Sequence, residues 1–178
     1  MTTNILLSGF GGQGILFAGK QIAKTGMDTG MQVSWLPSYG PEMRGGTASC
    51  SVIVSDEEVG CPLVSAPDLL VCFNLPSFDK FEPTVAPGGK LFADSSLIDK
   101  QSTRTDIECF YIPASAMASD NGLTGGANVI MLGYILAKTG LFDFEEFKAH
   151  MVASIPQTKA KLIENNKKAL DLGFHYAG

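Results

Sequence analysis

The chain has 178 residues, of which 45% are hydrophobic and 17% are charged, so it is not a disordered polymer and can form one domain over residues 1–178. Its formal net charge of -5 argues against nucleic-acid binding, which requires basic patches. The first residues lack the basic segment of a signal peptide, and no apolar run is long enough to cross a bilayer. We therefore expect a cytoplasmic protein with no membrane contact.

The first predicted strand, residues 4–8, leads directly into a glycine-rich loop with the sequence Gly9-Phe10-Gly11-Gly12-Gln13-Gly14. A helix is predicted from Ile15 to a stop at Gly26 or Gly30. Glycines bring backbone N–H groups close to a ligand, and the N-terminus of a helix attracts anions. The loop therefore predicts a phosphate site. The alternative is that the glycines only allow the strand and the helix to pack closely.

The same loop matches the Gly-x-Gly-x-x-Gly fingerprint of dinucleotide-binding proteins, but the rest of that fingerprint is missing. An acidic residue should follow about 20 residues later and hold the ribose hydroxyls. Here the predicted second strand, residues 32–37, is followed by Ser38, and the first acidic residue is Glu42. A nicotinamide- or flavin-dependent dehydrogenase is therefore a weak alternative.

A second unusual loop covers residues 38–46, with the sequence Ser38-Tyr39-Gly40-Pro41-Glu42-Met43-Arg44-Gly45-Gly46. Proline and three glycines predict a fixed turn rather than a strand or a helix. Arg44 lies between small residues, where its guanidinium group can reach a phosphate, and Glu42 can orient it. The alternative is a solvated arginine beside a hairpin.

The remaining predicted strands cover residues 47–54, 69–73, 90–94 and 109–112. The last third of the chain is predicted to be helical. Its helices cover residues 127–139 before Gly140, a stretch from the N-cap Asp143 to Pro156, and residues 158–172 before Gly173. Strands that alternate with helices predict an α/β fold, here a three-layer sandwich around a mostly parallel, mixed sheet with a Rossmann-like start.

A third glycine-rich loop, residues 122–128, leads into the helix of residues 127–139. Helix packing and capping are the favoured interpretation, with a ligand site or a subunit contact as the alternatives. Asn128 is the polar residue of this loop that we single out.

The four cysteines form no Cys-x-x-Cys pair, and three of them lie in or beside apolar strands. We interpret them as small buried hydrophobic residues and expect no iron–sulfur cluster or other metal in this chain. The cysteines are Cys50, Cys61, Cys72 and Cys109. The two histidines have no nucleophile marked beside them, so we expect no catalytic residue in this chain.

The two loops together identify a resemblance to a known family. The first loop, followed by Ala18-Gly19, and the loop of residues 38–46 are similar to those of the gamma subunits of 2-oxoacid:ferredoxin (acceptor) oxidoreductases. Pro67-Asp68 and residues 165–173 also fit. The resemblance covers essentially the whole chain, and the second loop is specific to the family.

The resemblance implies a role inside a larger enzyme. Such enzymes convert a 2-oxoacid and coenzyme A into acyl-CoA, carbon dioxide and two low-potential electrons. Thiamine diphosphate, Mg and iron–sulfur clusters are expected in the alpha, beta and possibly delta (ferredoxin-like) subunits. This chain lacks a Gly-Asp-Gly segment of the thiamine-binding type and is expected to bind no cofactor alone.

The family implies that the gamma domain helps to bind coenzyme A and to hold the complex together. A purely structural subunit is the alternative. Coenzyme A carries a pyrophosphate and a 3′-phosphate, which suit backbone N–H groups and a cation. A carboxylate at the ribose position would repel the 3′-phosphate, so its absence fits this ligand. The expected binding residues are Gly9, Gly11, Gly12, Gln13 and Gly14 in the first loop and Tyr39, Arg44, Gly45 and Gly46 in the second.

Overall fold

In the part of the chain that the structure describes, six strands form one sheet in which five strands run in one direction and one opposes them. The computed structural model describes residues 1–39 and 47–177. The strands are β1 (Thr2–Phe10), β2 (Gln32–Tyr39), β3 (Thr47–Ser55), β4 (Leu69–Cys72), β5 (Lys90–Asp94) and β6 (Glu108–Ile112). Their order across the sheet is β2-β3-β1-β4-β5-β6.

The pairings explain why the sheet is mixed. β1 is parallel to β4, β4 to β5 and β5 to β6, whereas β3 is antiparallel to both β1 and β2. The prediction of a mostly parallel, mixed sheet is therefore confirmed.

Helices cover both faces of this sheet and complete the three layers. One hydrophobic core lies between the sheet and five helices, and a second lies under a short helix on the other face. The first face carries α1 (Ile15–Asp28), α3 (Ala114–Asp120), α4 (Ala127–Thr139), α5 (Phe144–Ala153) and α6 (Ala160–Phe174), and the second carries α2 (Leu75–Phe81).

The central strand β4 shows why its residues form a buried strand. All four side chains are buried, because successive residues of a strand point to opposite faces and both faces are covered. Leu69 and Val71 join the core under the five helices, whereas Leu70 and Cys72 join the core under α2. This continuous apolar run is typical of a strand in a parallel sheet.

The predicted boundaries in the last third of the chain are largely confirmed. The helix α4 has the predicted bounds and ends at Gly140, which adopts the left-handed conformation with φ 62°. Asp143 caps α5, since its Oδ1 accepts a hydrogen bond from the Glu146 N–H at 2.9 Å. No helix in the described part of the chain is long and apolar enough to span a bilayer.

Two glycines allow α4 and α6 to cross at very short distance. A Cβ atom on Gly173 would overlap the carbonyl oxygen of Ile130, and one on Gly133 would overlap that of Leu170. The prediction that the last helix ends before Gly173 was wrong, because α6 continues to Phe174. Gly173 is a packing residue rather than a helix stop.

The strand β2 is longer than predicted. Ser38 and Tyr39 belong to this strand and pair with β3, whereas the sequence had assigned them to the fixed turn. Pro37 is tolerated inside the strand because β2 lies at the edge of the sheet, where a missing N–H group breaks no pairing.

Candidate functional site

The carboxyl ends of β1 and β4 lie side by side, and the chain leaves them on opposite faces of the sheet. After β1 it enters α1 and returns through β2 on one side, and after β4 it enters α2 and returns through β5 on the other. In open α/β sheets, ligands bind in the crevice at such a switch point.

A pocket of about 340 Å³ opens at this point. The end of β4, the glycine loop, α3 and the third glycine-rich loop surround it. Its lining residues are Gly12, Gln13, Phe73, Ser115, Ala118, Ser119, Thr124, Gly125 and Ala127. None of these described lining residues is charged, so attraction for an anion from this part of the chain comes from backbone dipoles.

Gln13 fixes the shape of the glycine loop. Its side-chain Oε1 accepts a hydrogen bond from the Phe10 N–H at 2.6 Å, and its Nε2 donates to the Phe73 carbonyl at 2.9 Å. Its own backbone N–H donates to the Phe10 carbonyl at 3.2 Å. Gln13 therefore connects the loop to the end of β4, and its N–H group is already used.

The remaining N–H groups of the loop are available to a ligand. Those of Gly11, Gly12 and Gly14 have no acceptor among the described residues. No side chain caps α1, so the first-turn N–H groups of this helix also lack partners. These donors and the positive end of the helix dipole make the loop suitable for a phosphate group.

The glycines of the loop serve two different purposes. A Cβ atom on Gly9 would lie 2.5 Å from Gln13 Oε1 and 2.8 Å from Ile15 Cδ1, so Gly9 allows close packing. Gly12 has φ +97° and only open space where a Cβ atom would be. The packing interpretation therefore applies at Gly9, whereas the phosphate site stays a prediction for which Gly12 leaves open space.

Asn128 connects the glycine loop to the helical last third of the chain. Its Nδ2 donates a hydrogen bond to the Gly14 carbonyl at 3.1 Å, and the residue is only 4% exposed. Its Oδ1 is buried and has no hydrogen-bond partner in the described part of the chain. The third glycine-rich loop thus lies against the first.

A buried carboxylate positions α3, which the sequence did not predict. Asp94 is fully buried at the end of β5 and accepts hydrogen bonds from the N–H of Ser96 at 3.0 Å and the N–H of Ser115 at 3.1 Å. The Ser115 hydroxyl also donates to it, at 2.5 Å. Ser115 and Ser119 lie one turn apart on α3 and line the same pocket as Gly12 and Gln13 of the glycine loop.

The second loop of the sequence begins and ends beside the first. Phe10 pairs with Thr47, the first residue of β3, and Gly9 pairs with Ala48. Ala48 also pairs with Tyr39, the last residue of β2. The predicted binding residues Arg44, Gly45 and Gly46 lie outside the described residues.

Phe73, Ser115, Ser119 and Thr124 were not predicted as site residues. The signal for Phe73 was its position directly after a buried strand, since ligands bind at the carboxyl ends of such strands. The α3 serines lie after β6 and could have been found by the same rule. Thr124 lies in the third loop, which had been noted only as an alternative ligand site.

The cysteines and histidines lie elsewhere. His150 is on the surface, with its Nδ1 3.1 Å from Asp28 Oδ2. Among residues 1–39 and 47–177, no three His, Cys, Asp or Glu side chains are grouped as metal ligands. Cys50 and Cys72 are buried, as predicted, whereas Cys109 is only partly buried and the interpretation was wrong for Cys61, which is exposed.

Thiol labelling should separate these cysteines. Burial raises the pKa of Cys50 to about 12 and also raises the pKa of Cys72, so neither forms the reactive thiolate at pH 8. We expect iodoacetamide to modify Cys61 rapidly in the folded chain and to reach Cys50 only after unfolding. Mass spectrometry of labelled peptides measures this difference. Equal labelling of Cys50 and Cys61 in the folded chain would contradict the buried position of β3.

The chain matches a known protein family over nearly its whole length. A family model described as pyruvate ferredoxin/flavodoxin oxidoreductase matches residues 4–176. Ketoisovalerate oxidoreductase subunit VorA of Methanothermobacter marburgensis is 40% identical over 175 residues. That alignment covers 97% of this chain and 36% of VorA, so the chain spans about a third of the length of this relative.

Two solved structures share the fold. The gamma subunit of a keto/oxoacid ferredoxin oxidoreductase from Geobacter sulfurreducens PCA is 30% identical, with a TM-score of 0.81 and coverage of 97% of this chain and 96% of that chain. A 2-oxoglutarate:ferredoxin oxidoreductase from Magnetococcus marinus, solved with 2-oxoglutarate, coenzyme A and succinyl-CoA bound, has a TM-score of 0.86 at 22% identity. It covers 97% of this chain and 30% of that chain, and at this identity the likeness concerns the fold alone.

Proposed function

This chain belongs to the pyruvate ferredoxin/flavodoxin oxidoreductase family, and on that premise we propose that it is the gamma subunit of a 2-oxoacid:ferredoxin oxidoreductase. Within that enzyme it binds phosphate groups of coenzyme A and helps to hold the complex together. The enzyme oxidatively decarboxylates a 2-oxoacid and transfers the acyl group to coenzyme A.

One observation carries the coenzyme A role. The N–H groups of Gly11, Gly12 and Gly14 have no acceptor in the described chain, and Gly12 lines the pocket at the switch point of the sheet. Unpaired backbone donors beside a helix N-terminus favour an anionic ligand group. The relative from Magnetococcus marinus was solved with coenzyme A bound, which supports this choice of ligand.

A second loop completes the proposed site. Thr47, which follows this loop, pairs with Phe10 of the glycine loop, and Tyr39 pairs with Ala48, the β3 partner of Gly9. Arg44 therefore belongs to a segment that leaves and re-enters the sheet at the end that carries the glycine loop. The phosphates require a cation, and we assign this role to the guanidinium group of Arg44. We assign to Gly45 and Gly46 the role of leaving space beside it. Gly9 and Gln13 keep the glycine loop in shape rather than contact the ligand.

Phosphate binding at a distance from the thiol has a catalytic use. Binding energy from non-reacting groups can position the reacting group, and here it would hold the thiol arm toward the partner subunits. We place thiamine diphosphate, Mg and the iron–sulfur clusters in the alpha, beta and possibly delta subunits, and the whole enzyme in the cytoplasm.

Hydrogen exchange in the assembled enzyme tests the coenzyme A role. The complex is purified without oxygen through a tag on this chain, and coenzyme A-dependent viologen reduction is assayed across a panel that includes ketoisovalerate, 2-oxoglutarate and pyruvate. Amide exchange is then compared with and without coenzyme A. We expect about tenfold slower exchange at residues 11–17 and no change at the Gly88 turn, which lies at the opposite end of the sheet.

The alternative function is a purely structural subunit. An active complex in which coenzyme A leaves the exchange of residues 11–17 and 38–47 unchanged would favour it. A tagged chain that brings down no oxidoreductase subunits and no activity would overturn the proposal as a whole.

A further inference from the structure

The two free edges of the sheet are protected very differently. β6 is five residues long and carries Glu108, which forms an ion pair with Lys90 of the neighbouring strand. Lys138 also lies over the ring of Phe110, 5.9 Å from its centroid. Charged side chains on an edge strand prevent pairing with other chains. The β6 edge therefore has the features of an edge strand that does not pair with another chain.

The β2 edge lacks this protection. β2 has eight residues, with the sequence Gln32-Val33-Ser34-Trp35-Leu36-Pro37-Ser38-Tyr39, and none of them is charged. Its single protective feature is Pro37, which removes one N–H group. A long, uncharged edge strand is a template for pairing with another chain unless something covers it.

The direction of the β2 backbone groups follows from the hydrogen bonds of β1. The Phe73 N–H donates to the Ser8 carbonyl at 2.9 Å, so Ser8 points its backbone groups toward β4. Successive residues of a strand alternate, and Leu7 therefore points toward β3. Cys50 is the β3 partner of Leu7, and it points its own groups back toward β1.

The same alternation fixes which β2 groups face outward. Pro37 is the β2 partner of Cys50, and because Cys50 bonds to β1, Pro37 points away from the sheet. Val33 and Trp35 share this orientation. Among the described residues, this edge thus offers the unpaired N–H groups of Val33 and Trp35 and the carbonyl groups of all three residues.

The side chains beside this edge are apolar and exposed on both faces. Trp35 lies over α1 near Gly19 and is 38% exposed. Leu36 points to the opposite face and is 37% exposed. It lines a groove of about 380 Å³ together with Leu63, which is 64% exposed. A partner that packs on one face covers only one of these side chains, whereas an added strand covers both.

We propose that the β2 edge is the docking surface for an extended, apolar segment of a partner subunit, which adds a seventh strand to the sheet. This inference rests on the proposed role as a subunit of a larger enzyme. Main-chain bonds to Val33 and Trp35 give affinity, and alternating apolar side chains fit against Trp35 on one face and Leu36 on the other.

The lengths of the relatives favour a partner subunit over a second copy of this chain. In VorA and in the Magnetococcus marinus protein, the matched region forms 36% and 30% of a longer chain. The rest of those chains is tethered to this domain and needs a surface to pack against. If two copies of β2 paired antiparallel about Trp35, Val33 of each copy would lie opposite Pro37 of the other. Proline has no N–H group, so this pairing would lack two hydrogen bonds. A strand from a different subunit would lie opposite only one Pro37 and would lack only one.

Residue-resolved hydrogen exchange distinguishes strand addition from other contacts. In the isolated full chain, the outward N–H groups of Val33 and Trp35 should exchange fast, while those of Ser34 and Leu36 are protected by β3. In the assembled enzyme we expect the exchange of Val33 and Trp35 to slow by about tenfold or more. The outward N–H groups of Cys109 and Tyr111 on β6 serve as the internal control and should not change.

A substitution tests the same surface through assembly. Leu36→Lys places a charge at the edge, and we expect at least a tenfold loss of partner subunits recovered with the tagged chain. Leu162→Lys on α6 is the matched control, since Leu162 is 43% exposed and far from β2 along the chain. The isolated Leu36→Lys chain should melt at the wild-type temperature, which separates lost docking from lost folding.

The outcomes are distinct. An assembled, active enzyme in which Val33 and Trp35 exchange as fast as in the isolated chain overturns the docking surface and leaves the proposed function standing. Protection that appears in the isolated chain as its concentration rises would assign β2 to a second copy instead and overturn the inference. A chain that recovers no oxidoreductase subunits overturns the proposed function itself.

Discussion

Replacing Gly173 by alanine should strongly destabilise the folded chain. The new Cβ atom would overlap the backbone carbonyl of Ile130, and a backbone atom cannot move aside as a flexible side chain can. Overpacking of a well-filled interior costs about 1–3 kcal/mol, and contact with backbone places Gly173→Ala at about 3 kcal/mol or more. For a chain of this size, that loss lowers the melting temperature by on the order of 10 °C. Circular dichroism of the isolated chain measures it.

Gly60→Ala is the matched control for this variant. Gly60 lies in an exposed segment, has no positive φ, and a Cβ atom there would meet nothing within 4 Å. Its replacement should change the free energy of unfolding by less than about 0.5 kcal/mol. Equal melting temperatures for Gly173→Ala and Gly60→Ala would show that α4 and α6 are farther apart than described.

Replacing Gly12 by aspartate should weaken coenzyme A binding strongly. Gly12 lines the pocket with open space around its Cβ position, so a new carboxylate would lie against the proposed phosphates. Like-charge repulsion at this range costs about 2 kcal/mol, which corresponds to a roughly 25-fold increase in the KM for coenzyme A. Steady-state kinetics of the assembled enzyme measure this change, while the KM for the 2-oxoacid should stay close to wild type.

Two controls isolate the charge. Gly12→Asn adds nearly the same atoms at the same φ of +97° without a negative charge, and both residues tolerate positive φ better than other side chains. Gly88→Asp places the same carboxylate at another open position with positive φ, at the opposite end of the sheet. If Gly12→Asp and Gly12→Asn raise the KM equally, the effect is steric and the loop is not a phosphate site.

Much of the fold could be predicted because its strands and later helices have strong local signals. The buried run of β4, the turn before β5 and the apolar pattern of α4 gave their positions within one residue. The family was identified from the two loops, and the match over residues 4–176 confirms it.

The two short helices α2 and α3 were not predicted. α3 has the sequence Ala-Ser-Ala-Met-Ala-Ser-Asp, which lacks the apolar periodicity that predicts an amphipathic helix. What holds it is the buried carboxylate of Asp94, a contact between residues 21 positions apart. α2 did carry a start signal, since Asn74 caps it and Pro76 follows in the first turn.

The sequence alone did not show which structural role each glycine has. Gly140 ends a helix, whereas Gly173 continues one, and the difference is whether another backbone packs against it. In the first loop, the packing role of Gly9 depends on Gln13 and Ile15, and a Cβ atom at Gly14 would overlap Asn128, which lies far along the chain. No local pattern contains that information. The predicted phosphate-binding role of the loop stays a prediction that the Gly12 variants test.

The hydrogen bond from Asn128 to Gly14 joins residues 114 positions apart, and this separation has a consequence for how the protein is made. The glycine loop leaves the ribosome early, directly after β1. Asn128, which donates a hydrogen bond to this loop, and α3, which lines the same pocket, are translated much later. A nascent chain can therefore form strands around β1 before it has any pocket to fill. If the proposed coenzyme A site is correct, this ligand cannot guide the early steps of folding during synthesis, and it stabilises only a chain whose α4 has already docked.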